Sequence, residues 1–260
     1  MEAIEKKLEY HELIMTLDDL NNNPKYELPD GYSYAFWQSK KDLTDWIDIH
    51  INSGEFTSKT EAARVFEDFY AEFIDEVYKR CFFIVENKSG KKIATATISP
   101  ADENGYECVV DWLAIDKKFW GKKLAKPLIS RTLQLAKELG NNKILLHTQT
   151  HTWLAAKLYL DFGFEPYNTK EELKGWQILK TITNHPKLEV FSAIPEKEMY
   201  FLDAINIVDN LNKLHKNYEY QIWHKNGRND VFVRENGLVY QYKYYDMGKV
   251  LTCIVNGELD

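Results

Sequence analysis

Cysteine is scarce. The chain holds three, Cys81, Cys108 and Cys253, far apart and with no C-x-x-C pair among them. An odd, scattered set argues against a disulfide framework or a zinc site and fits a reducing compartment. Long apolar runs are also missing, so no segment reads as a membrane span. The opening, MEAIEKKLEYHEL, has no basic region followed by an apolar one, as a secretory signal would. Positive charge is not in excess either: the formal net charge is −7. That balance argues against a general nucleic-acid or anionic-membrane partner, though it permits a local basic site. G-x-x-x-x-G-K-[ST] is absent, and no G-x-G-x-x-G follows a strand, so the nucleotide and dinucleotide signatures are lacking. The expectation is a soluble cytoplasmic protein with no bound metal.

What remains is an ordered alternation of patterns. HELIMTLDDL and YSYAFWQS read as strands separated by the turn-rich NNNPKYELPDG. Residues 41–53 and 59–79 read as helices, the second with Ala62, Val65, Phe66, Phe69, Phe73 and Val77 at helical spacing and Thr60 as its cap. Both are rich in acids, including Asp42, Asp45, Asp48, Glu61, Asp68 and Glu76, which read first as a solvated face. A hairpin turning at Lys88-Ser89-Gly90 follows, then the strand YECVVDWLAID. A helix over about 122–139, the strand KILLHTQT, a short helix over about 153–162 and the strand-like FEPY complete the first part. Strand–helix–strand–helix after an antiparallel start predicts an α/β fold with a mixed sheet. Beyond Pro186 the pattern becomes a helix at 195–215 and four alternating segments punctuated by Asn226-Gly227, Asn236-Gly237 and Met247-Gly248. The expected organisation is a domain at 1–190 and a small C-terminal α+β antiparallel meander domain at 191–260.

The most informative stretch is 115–128, IDKKFWGKKLAKPL. It crowds Lys117, Lys118, Lys122, Lys123 and Lys126 into the mouth of a helix in an acidic protein. A helix start presents unpaired N–H groups and partial positive charge, which together suit phosphate. Gly121 allows close backbone approach, and Pro127 is tolerated where the first turn needs no N–H. A polyphosphate site and a merely solvated basic loop are both compatible with this turn.

Residues 80–166 resemble the GNAT superfamily of acyl-CoA-dependent N-acetyltransferases. Against its pyrophosphate loop, [QR]-x-x-G-x-[GA], stand Trp120, Gly121, Lys122, Lys123, Leu124 and Ala125. Ala125 satisfies the pattern, Trp120 replaces Gln or Arg, and Lys123 replaces the central glycine. TWLAAKLYLDFGFEPY resembles N-x-x-A-x-x-x-Y-x-x-x-G-F, with Ala155, Tyr159, Gly163 and Phe164 in place and Thr152 for Asn. WLAID resembles the strand that pairs with the pantetheine arm, which gives Leu113, Ala114 and Ile115.

The resemblance implies acetyl-CoA as cosubstrate, coenzyme A phosphates on the amides of 121–126 with Lys126 beside them, and a primary amine as acceptor. It also implies direct attack of the amine on the thioester, carbonyl polarisation by a strand N–H, and Tyr159 as the acid that protonates the leaving thiolate. The family's strand carboxylate falls at Val109, so the base is sought at Asp111, then Glu107, with His147 on the neighbouring strand. Alternation places Glu107, Val109, Asp111 and Leu113 on one face. Val109, Trp120 and Lys123 also fit a second class of protein, a non-catalytic acyl-CoA-binding module acting through the C-terminal domain.

Overall fold

The computed structural model describes residues 8–100 and 108–191, and beyond them the backbones of four strands. Seven strands form one mixed sheet: β1 (Glu12–Leu17), β2 (Tyr32–Phe36), β3 (Cys81–Glu86), β4 (Lys91–Pro100), β5 (Cys108–Ile115), β6 (Ile144–Gln149) and β7 (Glu165–Pro166). Their order is β2-β3-β4-β5-β6-β1-β7, so the chain's first strand lies between β6 and β7. β2 through β5 pair antiparallel, β5 and β6 pair parallel, and β1 pairs antiparallel with β7. The mixed α/β sheet expected from the element order is therefore present.

The central strands are apolar on both faces because both are covered. Phe82 and Phe83 are adjacent in β3, point to opposite faces, and are both fully buried. On the Phe82 side, α4 (Ala125–Glu138) buries Leu128, Ile129, Thr132, Leu133, Leu135 and Ala136. There Tyr34 Oη donates to the Pro127 carbonyl (3.0 Å), and the Arg131 guanidinium lies 5.8 Å from the Phe82 ring centre. On the Phe83 side, α1 (Asp42–Ser53) and α2 (Lys59–Tyr70) close over Cys81, Phe83 and Ala114 with Trp46, Ile49, Phe66 and Tyr70.

The second of the predicted helices is not one element. α2 ends at Tyr70, a 3-10 stretch (Ala71–Glu76) interrupted at Phe73 (φ −131°) follows, and α3 (Val77–Arg80) leads into β3. Its cap is Ser58, whose hydroxyl accepts from the Glu61 N–H, rather than Thr60. α4 begins at Ala125, later than the predicted 122, because Lys122 and Lys123 belong to the turn before it.

The acids of α1 and α2 are largely matched locally. Asp42 is buried and pairs with Lys92, while its other oxygen accepts from the N–H groups of Gln38 (2.6 Å) and Ser39 (3.2 Å). Lys92 also reaches Asp45 at 3.1 Å, and Asp48 pairs with Lys59 at 2.6 Å. Asp42 is thus no part of a solvated face. It ties the start of α1 to β4.

Burial alone would raise the Asp42 carboxyl, but the Lys92 ammonium and the two N–H groups outweigh it, and the net shift is downward. A carboxyl lowered on folding contributes stability above its unfolded value, about 3.9, and that contribution is lost as pH falls through the folded value. Urea midpoints measured from pH 7 to pH 2 should therefore fall on the acid side of pH 4. Asp42→Asn should lower the neutral midpoint and flatten that acid limb; a limb of unchanged slope would assign the acid sensitivity elsewhere.

Two compact units divide the chain, one holding residues 14–147 and 161–167, the other 1–13, 148–160 and 168–260. Within the second, α5 (Trp153–Asp161) follows a short 3-10 turn, and α6 (Leu173–Thr183) buries Trp176, Ile178 and Leu179. The sequence reading left α6 out. Gly175 sits inside that helix, where it normally disfavours one. Here a Cβ would fall 2.6 Å from the His11 Cβ, so the glycine permits close packing on the start of β1.

The same unit carries the predicted meander as β8 (Glu219–Lys225), β9 (Arg228–Glu235), β10 (Leu238–Lys243) and β11 (Thr252–Asn256), ordered β11-β10-β9-β8 with antiparallel pairing throughout. The helix expected at 195–215 lies outside the described residues, as does Glu107.

Candidate functional site

Pairing between β5 and β6 runs from Cys108–Ile144 to Val110–Leu146. β5 then continues to Ile115, and its edge over 111–115 is the natural place for an extended ligand to pair. His147, the next residue of β6, is exposed.

A bulge sits in this part of β5. Asp111 pairs with Thr97 and Ala114 with Thr95, so Trp112 and Leu113 together stand opposite Ala96. Trp112 adopts φ +49°, a left-handed conformation uncommon for a bulky residue. Such a bulge leaves one residue's backbone uncommitted to the neighbouring strand. It also breaks the expected alternation. Through their partners Thr95, Thr97 and Ser99, the residues sharing a face are Ala114, Asp111 and Val109, and Leu113 drops out of that set. Val109 is buried there and Asp111 is half-buried.

At the end of β5 comes a residue the sequence reading did not single out. Asp116 is buried, with 1% of its surface exposed. One carboxylate oxygen accepts the Lys118 N–H (3.0 Å), and the other accepts from Lys91 Nζ (2.9 Å) and Asn52 Nδ2 (3.1 Å). Asp116 thereby caps the 3-10 turn Lys117–Phe119 and fastens it to α1 and β4. Burial pulls its carboxyl upward, but the Lys91 ammonium and the Lys118 N–H prevail, and the net shift is downward. The one sequence signal was Asp directly before a lysine-rich turn, an Asx-type start.

The turn that follows is held in a defined shape. Trp120 Nε1 donates to the Ile115 carbonyl (3.0 Å), and the Lys117 ammonium lies 5.7 Å from the Trp120 ring centre. Trp120, which stands where the family pattern has Gln or Arg, here stitches the loop back to β5. Gly121 has φ +76° and Lys123 φ +61°. Lys123, in place of the pattern's central glycine, therefore keeps the backbone conformation that a glycine would adopt without strain. Leu124 is buried and begins α4 without a side-chain cap.

Among the described residues, the N–H groups of Lys123, Leu124, Ala125 and Lys126 have no hydrogen-bond acceptor, and no carboxylate lies within ion-pair distance of the ammonium groups of Lys117, Lys118, Lys122, Lys123 or Lys126. Lys126 instead lies 4.8 Å from the Tyr26 ring centre. Four unsatisfied N–H groups and five unpaired cations at one helix start fit a pyrophosphate with a further phosphate nearby.

Thr152 and Tyr159 lie in the other unit. Thr152 ends the 3-10 turn before α5. Its hydroxyl is engaged with the Gln149 side chain (2.7 Å) and the Thr148 hydroxyl (3.0 Å), closing the turn before α5. Tyr159 is buried on α5 and Ala155 is half-buried. His151 Nε2 is 2.5 Å from the Leu8 carbonyl, so the pair His147 and His151 is not a matched set of ligands. Among the described residues no group of three His, Cys, Asp or Glu is placed to hold a metal ion. Burial lifts the Cys81 thiol to about 11, which keeps it protonated and a poor nucleophile at neutral pH.

Residues 43–164 match the model of the acetyltransferase (GNAT) family. No curated protein matches the chain. Among solved structures it is similar to a GCN5-related N-acetyltransferase from Sphaerobacter thermophilus (15% identity, 63% of this chain and 52% of that one, TM-score 0.49). It is also similar to a GNAT-family acetyltransferase from Colwellia psychrerythraea (13%, 61% and 54%, TM-score 0.46) and to a tandem GNAT protein from the clavulanic acid biosynthesis pathway (17%, 60% and 50%, TM-score 0.45). The chain spans about half the length of each of these structures. No membrane-spanning helix is found among the described residues.

Proposed function

We propose that the GNAT-family acyltransferase domain at residues 43–164 moves an acetyl group from acetyl-CoA to a primary amine by direct attack. The observation that carries this reading is the start of α4, with its unsatisfied N–H groups, five lysines and glycine-like Lys123. Acetyl-CoA supplies the activated thioester. The amides of 123–126 hold its pyrophosphate, the Lys122 N–H being taken by the Phe119 carbonyl, and Lys122, Lys123 and Lys126 add charge around it. The edge of β5 at Leu113, Ala114 and Ile115 aligns the pantetheine arm. An N–H freed at the Trp112–Leu113 bulge polarises the carbonyl, where oriented donors act most strongly on developing charge.

Asp111 is the proposed acceptor of the amine proton, on the face it shares with Thr97, with His147 second. Tyr159 is the proposed proton donor to sulfur. With Cys81 held protonated by burial, a direct transfer needs no cysteine acyl-enzyme from that residue. Localisation in the cytoplasm fits the scattered cysteines. One observation favours the second reading, an acyl-CoA-binding module: Val109, where the family has its carboxylate, is apolar and buried. Thiol release from acetyl-CoA across a panel of amines separates the two.

Lys123 makes the cofactor assignment testable in two directions. Lys123→Gly removes a left-handed lysine, so the fold should gain about 1 kcal/mol in urea unfolding. The same change removes one cation, so calorimetry should show weaker coenzyme A binding. Lys122→Ala with Lys123→Ala should weaken it further, and added salt should narrow both gaps. Unchanged affinity at low salt in all variants would make this a solvated basic loop.

A further inference from the structure

The face of the sheet that carries Asp111 holds an unusual concentration of unsatisfied polar atoms. Trp46 Nε1, both ring nitrogens of His50, Ser99 Oγ and Trp112 Nε1 are buried without a hydrogen-bond partner, while the Tyr70 and Thr97 hydroxyls lie within reach of each other. Buried polar groups are satisfied in the great majority of cases, and exceptions mark sites where a ligand or water supplies the partner. These groups are neighbours. Trp46 lies 4.0 Å from His50, 6.2 Å from Tyr70 and 6.1 Å from Trp112 between ring centres. Thr97 is the strand partner of Asp111, Ser99 that of Val109, and Trp112 is the residue after Asp111.

The walls between these atoms are aromatic. Phe56 lies 5.1 Å from Trp112 and 5.8 Å from His50, and Phe66 lies 4.7 Å from Tyr70. Phe69 stands edge-on to Trp112 at 5.1 Å and is 48% exposed, which puts the open end of the group at Phe69, Trp112 and the half-buried Asp111. The inner end, at Trp46, Tyr70 and His50, is closed. Burial lowers the His50 imidazole to about 3, so at neutral pH the ring is uncharged and offers one donor and one acceptor. Tyr70 is pushed upward by burial and then by the Asp111 charge, which places that carboxylate within electrostatic reach of the phenol.

We infer that this cluster is the acceptor pocket of the transferase, and that its substrate is a primary amine on an apolar, ring-bearing body. This rests on the transfer reading above. The ammonium end is drawn to Asp111 and to the faces of Trp112 and Phe69, where a cation is attracted by the ring quadrupole. The body fills the aromatic walls. A hydrogen-bonding group on that body meets the His50 and Trp46 nitrogens. A strongly hydrated polycation has no match for these walls, and Asp42, Asp45 and Asp48 of α1 are already paired with Lys92 and Lys59.

The test is calorimetry on the full chain with tyramine, an arylalkylamine with a ring hydroxyl, and with spermidine, each with and without coenzyme A, alongside a coenzyme A titration. The arylalkylamine should bind saturably and at least about tenfold more tightly than spermidine. His50→Phe replaces two unsatisfied nitrogens by a ring of similar size. It should raise the melting temperature, leave coenzyme A affinity unchanged and weaken tyramine, whose phenol loses its partner, about tenfold. Phe69→Ala, at an exposed position that folding tolerates, should weaken the amine severalfold as well. A melting rise in His50→Phe with amine binding unchanged in both variants would make the cluster packed core and overturn the inference. Tighter binding of spermidine would also overturn it. Loss of coenzyme A binding with the amine preference intact would remove the transfer reading and leave the pocket standing.

Discussion

Tyr159→Phe should lower the acetyl-transfer rate roughly 10²–10⁴-fold while acetyl-CoA binding stays close to wild type. The variant keeps the ring, and with it the packing of a buried residue between Ala156 and Leu160 on α5, so folding should survive. It removes only the O–H. A phenol hydroxyl can donate a proton to the thiolate as the C–S bond breaks. The effect therefore falls on the step in which charge develops on sulfur. Steady-state thiol release with a saturating amine measures the rate, and calorimetry with coenzyme A measures the binding. A Phe variant with near wild-type turnover would return Tyr159 to a packing role and favour the acyl-CoA-binding module.

Asp116→Ala should destabilise the fold by about 2–3 kcal/mol and weaken coenzyme A binding with no loss of any loop lysine. The buried carboxylate accepts from Lys118, Lys91 and Asn52, so its removal uncaps the 3-10 turn and strands an asparagine and a backbone donor. Lys91 is half-exposed and can turn to water, which keeps the loss below that of a fully buried pair. In a domain of this size each kcal/mol shifts the melting temperature by about 2–4 °C. Asp116→Asn, which keeps an acceptor for the Lys118 N–H, should recover part of both losses. Wild-type coenzyme A affinity in a folded Asp116→Ala protein would mean that the loop holds its shape without the cap.

Local chemistry was readable from the sequence, and long-range registration was not. The alternation of strand and helix periods gave the mixed sheet, and Asn226-Gly227 and Asn236-Gly237 gave the meander, because turn and period signals are written in neighbouring residues. The lysine-rich helix start was legible for the same reason, with Gly121 as its turn residue. Helix ends were misplaced where a tertiary contact overrode the pattern, as at Phe73 and at Lys122–Lys123.

The sequence by itself carried the family resemblance and the lysine-rich helix start at 115–128, since these depend on residue types at fixed short spacings. Tertiary structure decided the rest. The bulge at Trp112–Leu113 depends on the register of β4 against β5, which no single strand encodes. Asp116 acquires its role from Asn52, 64 residues away, and from Lys91. Residues 41–53 read only as a helix; the surroundings of His50 and Trp46 exist once Phe56, Tyr70 and Trp112 are packed around them. Burial and charge pairing are properties of the packed chain, so which acids are paired and which imidazole stays uncharged could be settled only there.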